Sequence, residues 1–182
     1  MEIYALLSEA LRYPDPGSLE RLRSGLEQAD ESPARTELET FLASVERLGL
    51  DGWEELYTRT LDLNPAVAPY IGFQVWGESY QRGGFLSALN RAMYESKVDL
   101  EGELPDHLTS VLRYLARTGE PLPALSEQLA PAVRRMVSVL SAAEPQNPYV
   151  RLLRAVLIAW EAGPVTGASA LGADSRRKYE LE

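Results

Sequence analysis

Apolar residues recur every three or four positions along most of the chain, which is the spacing of one face of an α-helix. The first segment shows this spacing at Ile3, Leu6, Leu7, Ala10 and Leu11. Proline- or glycine-bearing stretches interrupt the pattern at residues 13–17, 30–33, 49, 64–65, 98–105 and 119–123. No run of alternating polar and apolar residues predicts a sheet. We therefore predict an all-α fold, a single compact bundle of about eight to nine helices over residues 1–162, followed by a flexible tail over residues 163–182.

The middle of the chain divides into short helices. Gly49 follows a run of apolar residues at helical spacing and is expected to end the third helix. A fourth helix is predicted from Trp53 to Leu61, before Asn64-Pro65 forces a loop. Ile71 to Trp76 fits either a helical turn or a strand, and we assign it to a helix because nothing nearby could pair with it.

Several residues are predicted to begin helices. Ser18 is a candidate N-cap for the second helix, because its hydroxyl can accept from a free backbone N–H. Gly83-Gly84 is expected to precede the helix that starts at Phe85. Pro105-Asp106 is expected to form the N-cap region of the next helix, with the acid at its positive end. Pro131 suits the first turn of a later helix.

Composition narrows the classes of function. The chain has 182 residues, a formal net charge of -9 and a pI near 4.8, which argues against nucleic-acid binding and is compatible with a cationic partner. It has no cysteine, so it forms no disulfide and no thiolate metal site. An early acid and the absence of a basic segment argue against a signal peptide, and no apolar run reaches the roughly 18 residues of a membrane span. These features predict a cytoplasmic protein.

The sequence gives little support for catalysis. His107 is the only histidine, and the adjacent Asp106 cannot face it at the start of a helix, so a nucleophilic triad is not expected. Glu54-Glu55 and Glu101-Glu103 are paired carboxylates of the kind common on solvated helix ends and loops. The glycines of residues 163–172 lack the lysine of a phosphate loop. We therefore expect no enzyme activity, no cofactor and no metal site.

Three segments contain residues that folding rules alone do not explain. The first runs from Tyr57 to Pro65 and places an acid where a helix end prefers a base. The second, Trp76 to Gly84, surrounds an arginine with three glycines. The third, Glu103 to Leu108, is a rigid polar connector.

Together these segments resemble the nitrate reductase assembly chaperones, also called the delta subunit or NarJ family, within the wider superfamily of TorD and DmsD chaperones. The motifs that carry the resemblance are Tyr57 with Leu61-Asp62-Leu63, Gly77-Glu78 followed by Arg82-Gly83, and Glu103-Leu104-Pro105-Asp106-His107-Leu108. The resemblance implies an all-helical, cytoplasmic protein. It implies binding of the N-terminal segment of the apo catalytic subunit of a respiratory nitrate reductase, which is held until the molybdenum cofactor is inserted and the complex assembles.

A basic amphipathic peptide of this kind would need an apolar groove with acids at its rim. On this basis the candidate peptide-binding residues are Tyr57, Asp62, Tyr70, Trp76, Glu78, Arg82, Asp106 and His107. The three aromatic residues could anchor the peptide or pack in the core, and the three acids could complement its arginines. The arginine of the set is expected to form a structural ion pair or to cap carbonyls.

Alternative functions remain open. The chain departs from the family at Phe73-Gln74-Val75, where histidines are common, and at Arg113, where an acid is common. Another molybdoenzyme with a twin-arginine signal is therefore an alternative client. A stable helical scaffold subunit is a second alternative, and a nucleotide hydrolase is disfavoured by the missing phosphate loop. A homodimer formed by helix exchange at the proline-rich hinges is also compatible with the sequence.

Overall fold

The computed structural model describes residues 2–163, which form eight α-helices. These are α1 (Glu2–Ala10), α2 (Ser18–Gln28), α3 (Pro33–Tyr57), α4 (Ile71–Trp76), α5 (Tyr80–Glu95), α6 (Leu108–Arg117), α7 (Pro123–Ala143) and α8 (Tyr149–Glu161). A π-helical segment, Thr58–Asp62, extends α3. The all-α bundle prediction is confirmed, and the only β pairing among the described residues is a single bridge. The predicted tail, apart from Gly163, lies outside the described residues. None of the helices between residues 2 and 163 is both long and apolar enough to cross a membrane.

The core is centred where α3 packs against α8. Three aromatic residues are fully buried there: Phe41, Trp53 and Tyr149. The ring centroid of Phe41 lies 5.9 Å from that of Trp53 and 5.2 Å from that of Tyr149. The indole Nε1 of Trp53 donates a 3.0 Å hydrogen bond to the Tyr149 hydroxyl. Since both polar groups are out of reach of water, each depends on the other for its hydrogen bond.

Gly49 interrupts α3 as the sequence predicts. Its φ of 71° and ψ of 178° lie outside the range of helical residues, and only glycine adopts them without strain. The chain resumes a helical course after this break and continues through Tyr57 into the π-helical segment. The predicted helix from Trp53 to Leu61 therefore exists, although its last turn is π-helical and it is continuous with the preceding segment.

The predicted starts of α2 and α5 are wrong. Ser18 is the first residue of α2 rather than its cap, and its Oγ accepts from the backbone N–H of Asp15 at 2.9 Å, which closes the preceding turn instead. Gly83-Gly84 lies inside α5, which begins at Tyr80 after the N-cap Ser79. Helix propensity is a weak determinant, and burial of the apolar face of α5 outweighs two glycines.

The assignment of Ile71–Trp76 to a helix is correct. The placement of Pro131 in a first turn is wrong, since Pro123 takes that position and Pro131 lies within α7. Pro131 is exposed, so water can satisfy the carbonyl that its missing N–H leaves free.

Replacing Tyr149 by Phe tests the aromatic core. The variant keeps the ring and removes the acceptor of the Trp53 N–H, which is then buried without a partner. We expect the free energy of unfolding to fall by about 1–3 kcal/mol in urea titrations, with an unchanged m-value. A loss below about 0.5 kcal/mol would mean that the indole finds another partner.

Candidate functional site

The third unexplained segment, Glu103 to Leu108, meets residues 69–71 through backbone hydrogen bonds. The single β-bridge joins Tyr70 to His107 in antiparallel orientation. The amide of Ile71 donates to the carbonyl of Asp106 at 2.8 Å, and the amide of Leu108 donates to the carbonyl of Pro69 at 2.7 Å. This pairing fixes the start of α4 against the start of α6, although 35 residues or more separate the partners in the chain.

A buried ion pair links α5 to the same point. Arg82 Nε lies 2.9 Å from Asp106 Oδ2, and its Nη2 lies 3.3 Å from Oδ1, so both carboxylate oxygens are engaged. The guanidinium also lies 5.6 Å from the ring centroids of Tyr70 and Phe73. The prediction that Arg82 forms a structural ion pair is confirmed. The placement of Asp106 at a rim is wrong, because its side chain is fully buried by the pair.

Gly72 allows this pair to approach α4. A Cβ at Gly72 would lie 2.8 Å from Asp106 Oδ2 and 3.0 Å from Arg82 Cγ. The same Cβ would lie 3.1 Å from the ring of Phe85. Trp76 packs against that ring, with 5.2 Å between the two ring centroids. Trp76 is therefore part of the packing around the ion pair.

His107 is the N-cap of α6, a role the sequence prediction gave to Pro105-Asp106. Its Nδ1 accepts from the backbone N–H of Thr109 at 3.3 Å and lies 2.6 Å from the Thr109 hydroxyl. Its ring is buried and meets the ring of Tyr70 edge-on at 4.9 Å. Burial lowers the pKa of His107 from 6.5 to about 4, with Asp106 acting against the shift and Arg113 adding to it. The imidazole is therefore neutral near pH 7 and acts as a structural acceptor.

A cleft of about 160 Å³ opens in front of this framework. It is lined by Leu11, Arg12, Tyr13, Tyr57, Glu101, Glu103, His107, Thr109 and Arg113. The hydroxyl of Tyr70 donates to Glu103 Oε2 at 3.4 Å. Burial and then the charges of Asp62 and Glu103 raise the pKa of Tyr57, and burial and then Glu103 raise the pKa of Asp62. Beyond the effect of burial, the carboxylates of Asp62 and Glu103 therefore lie close enough to Tyr57 and Tyr70 to raise the pKa values of both hydroxyls.

A second, more open cleft of about 400 Å³ adjoins the first at Tyr13. It is lined by Tyr13, Asp51, Glu54, Glu55, Thr58, Arg59 and Leu63. We call the two clefts, with Asp62 and Tyr70 beside them, the acidic groove. The sequence pairs Glu54-Glu55 and Glu101-Glu103 lie in its two halves, more than 40 residues apart in the chain.

The charges of the acidic groove do not cancel. Glu101 lies 3.5 Å from Arg12 and 2.8 Å from Arg113, and Arg59 pairs with Glu144 outside the clefts. The remaining acids form no salt bridge with any residue between 2 and 163; they are Asp51, Glu54, Glu55, Asp62 and Glu103. A surplus of negative charge therefore faces the groove.

The structure sorts the predicted site residues into three groups. Tyr57, Asp62, Tyr70 and His107 lie at the acidic groove, the first and last of them largely buried. The Arg82–Asp106 pair and Trp76 lie behind it as support. Glu78 is exposed between α4 and α5 and lines neither cleft.

The sequence prediction missed Tyr13 and Glu103 as groove residues. Tyr13 packs edge-on against Tyr57 at 5.2 Å and joins the two clefts. The Tyr13-Pro14 pair at the end of the first helix was the signal that could have found it, and Glu103 already stood in the third motif. No group of three or more His, Asp or Glu side chains in the described part of the chain is placed to hold a metal ion.

Replacing Arg82 by Met tests the buried ion pair. The variant leaves the Asp106 carboxylate buried without its cation, and we expect a loss of about 3–5 kcal/mol in the free energy of unfolding. Arg59→Met is the matched control, because it breaks the exposed Arg59–Glu144 pair and should cost less than about 1 kcal/mol. Equal losses in the two variants would contradict the structural role of the Arg82 pair.

The depressed pKa of His107 predicts a pH dependence of stability. Below pH 6.5 the unfolded chain takes up a proton that the folded chain does not take up until about pH 4, so stability falls as pH falls through this window. The loss amounts to about 3 kcal/mol at about 1.4 kcal/mol per pKa unit. His107→Asn keeps an N-cap and removes the titration, and its unfolding free energy should vary less between pH 6.5 and 4. Parallel curves for the two proteins would refute this prediction.

The chain matches no protein-family model, and no curated protein matches it. The resemblance to the NarJ family therefore stands on its three motifs. The acidic groove is the feature of the described residues from which a function can be argued.

Proposed function

We propose that the protein is an assembly chaperone that binds the N-terminal segment of the apo catalytic subunit of a molybdoenzyme, a respiratory nitrate reductase in the first instance. The acidic groove carries this proposal, since it combines unpaired carboxylates with exposed apolar side chains in two adjoining clefts. The resemblance of the three motifs to the NarJ family supplies the identity of the client. On this proposal the protein acts in the cytoplasm and is not an enzyme.

The chemistry of the groove suits a basic amphipathic helix. Tyr13 and Leu63 offer apolar surface, being 51% and 74% exposed. Glu103 and Asp62 lie beside that surface in one half, and Glu54-Glu55 lies in the other. A peptide with an apolar stripe flanked by arginines would bury its stripe on Tyr13 and Leu63 and pair its arginines with these acids.

The unpaired acids would also accelerate encounter with a cationic segment. Asp51, Glu54 and Glu55 follow the Gly49 break, and the dipole of the helical segment that begins there favours acids near its start. Their position is therefore compatible with the fold. An arginine guanidinium can donate two hydrogen bonds to a single carboxylate.

The buried framework behind the groove favours binding through rigidity. The Arg82–Asp106 pair and the Tyr70–His107 bridge hold Tyr70 and His107 in place before any client arrives. A preformed surface loses less conformational freedom on binding than a flexible one. In this proposal Arg82 stabilises the groove and does not contact the client.

Neutralising the groove acids tests the proposal. Glu103→Gln combined with Asp62→Asn should weaken binding of the client's N-terminal peptide about tenfold, about 1.4 kcal/mol, and should reduce its salt dependence. Glu127→Gln with Glu120→Gln is the matched control, because it removes two exposed negative charges away from the groove. Isothermal titration calorimetry at two salt concentrations measures both effects.

Three outcomes would speak against the proposal. Equal weakening by the control pair would indicate long-range attraction by the net charge alone. Absence of heat with the peptides of all molybdoenzyme catalytic subunits of the source organism would remove the client assignment. A stoichiometric band of this protein in a finished enzyme complex would favour the scaffold-subunit alternative. Tight binding of a twin-arginine peptide from a different molybdoenzyme would instead move the assignment to that client.

A further inference from the structure

The outer face of α5 has no partner among the described residues. Phe85, Leu89 and Met93 are its buried residues, and the opposite face carries Tyr80, Gly84, Ser87, Arg91 and Tyr94 at alternating steps of four and three. Tyr80 is 96% exposed and Tyr94 is 84% exposed, more than any other large apolar side chain described. Two tyrosines about 21 Å apart on one helix, at 1.5 Å per residue, thus point into solvent.

Gly83 and Gly84 deepen this face in the space between the tyrosines. Both have helical backbone conformations, and a Cβ at either position would meet nothing within 4 Å. No contact within residues 2–163 therefore requires glycine there, although glycine weakens a helix interior. Their effect is to leave helix backbone beside Ser87 uncovered by side chains, and this gap between side chains, here called the depression, can take a side chain from another molecule.

The charges of the face are balanced. The exposed charged residues from 78 to 97 are Glu78, Arg91, Glu95 and Lys97, two acids and two bases. None of them forms a salt bridge with a residue between 2 and 163. The whole chain carries -9, so this neutral face is one where two copies can meet without strong repulsion.

We propose that α5 pairs with α5 of a second copy in antiparallel orientation, about a two-fold axis near Ser87. Tyr80 and Tyr94 lie seven residues on either side of Ser87. The axis therefore brings Tyr80 of each copy against Tyr94 of the other. Glu78 and Lys97 lie just outside the two ends of α5, nine and ten residues from Ser87, so antiparallel pairing brings opposite charges near each other at both ends. Arg91 enters the depression at Gly83-Gly84 of the second copy.

Self-complementarity selects a second copy as the occupant. An isologous interface requires that residues equidistant from the axis match. The aromatic pair Tyr80–Tyr94 and the small-to-large pair Gly83–Arg91 do so here, and opposite charges flank the two ends of the helix. One helix per copy makes a small interface, so the dimer is expected to be reversible and populated at high concentration. This pairing involves neither cleft of the acidic groove and does not depend on the proposed function.

Charge exchange tests the antiparallel pairing. Sedimentation equilibrium of the full chain should detect a dimer whose dissociation constant rises at least tenfold in Glu78→Lys and in Lys97→Glu. The double variant, which restores opposite charges, should recover most of the affinity. A wild-type protein that stays monomeric at every concentration reached would overturn the proposal, as would a double variant no better than the single ones.

Cross-linking locates the axis, because the chain has no cysteine of its own. Ser87→Cys should form a disulfide dimer on mild oxidation, since two cysteines near a two-fold axis can approach within bonding distance. Ala142→Cys, exposed on α7, is the control and should remain monomeric. Equal cross-linking at both positions would indicate random collision and contradict the assigned face.

Gly84→Gln separates dimerisation from folding. Glutamine favours the helix and meets no neighbour in the monomer, so the melting temperature measured in dilute solution should rise. The same side chain fills the depression and should raise the dissociation constant of the dimer at least tenfold. A more stable protein with unchanged dimerisation would show that Gly84 is not at the interface.

Discussion

The buried pair of Arg82 and Asp106 is the interaction on which the candidate site depends. It joins α5 to the start of α6, and the backbone of Asp106 simultaneously receives the first amide of α4. Three helices are thereby fixed to one another at one point, where Ile71, Phe85 and Leu108 are also buried. A buried carboxylate tolerates this position only with its cation in place, so the pair makes the arrangement of the three helices specific. Gly72 is a consequence of the same contact, because any side chain there would collide with the pair.

The acidic groove follows from that framework and from the break at Gly49. The framework holds Tyr70 and His107 at one wall, while the break redirects α3 so that its acids and Tyr57 form the other. Tyr13 fills the junction between the two clefts. The groove is acidic because its three arginines are already engaged, Arg12 and Arg113 by Glu101 and Arg59 by Glu144. The other carboxylates of the groove are left without a cation among the described residues.

The acidic groove and the outer face of α5 differ in chemistry and therefore in the partners they suit. The groove is concave, tyrosine-lined and negatively charged, properties that favour a cationic segment of another protein. The outer face of α5 carries balanced charges and two exposed tyrosines at equal spacing from Ser87, properties that favour a second copy. Arg82 belongs to the inner face of the same helix, so α5 contributes to both surfaces through opposite sides.

The sequence by itself determined the helical fold and the main breaks between helices, because helical periodicity and helix-breaking residues act within a few residues of the chain. Gly49 and the helix at Ile71–Trp76 are examples. Only the tertiary structure decided that Asp106 is buried against Arg82 and that the ring of His107 packs against Tyr70, because both outcomes depend on residues more than 20 positions away. It also decided that Glu54-Glu55 and Glu101-Glu103 share a groove, since no local pattern encodes which distant helix ends meet.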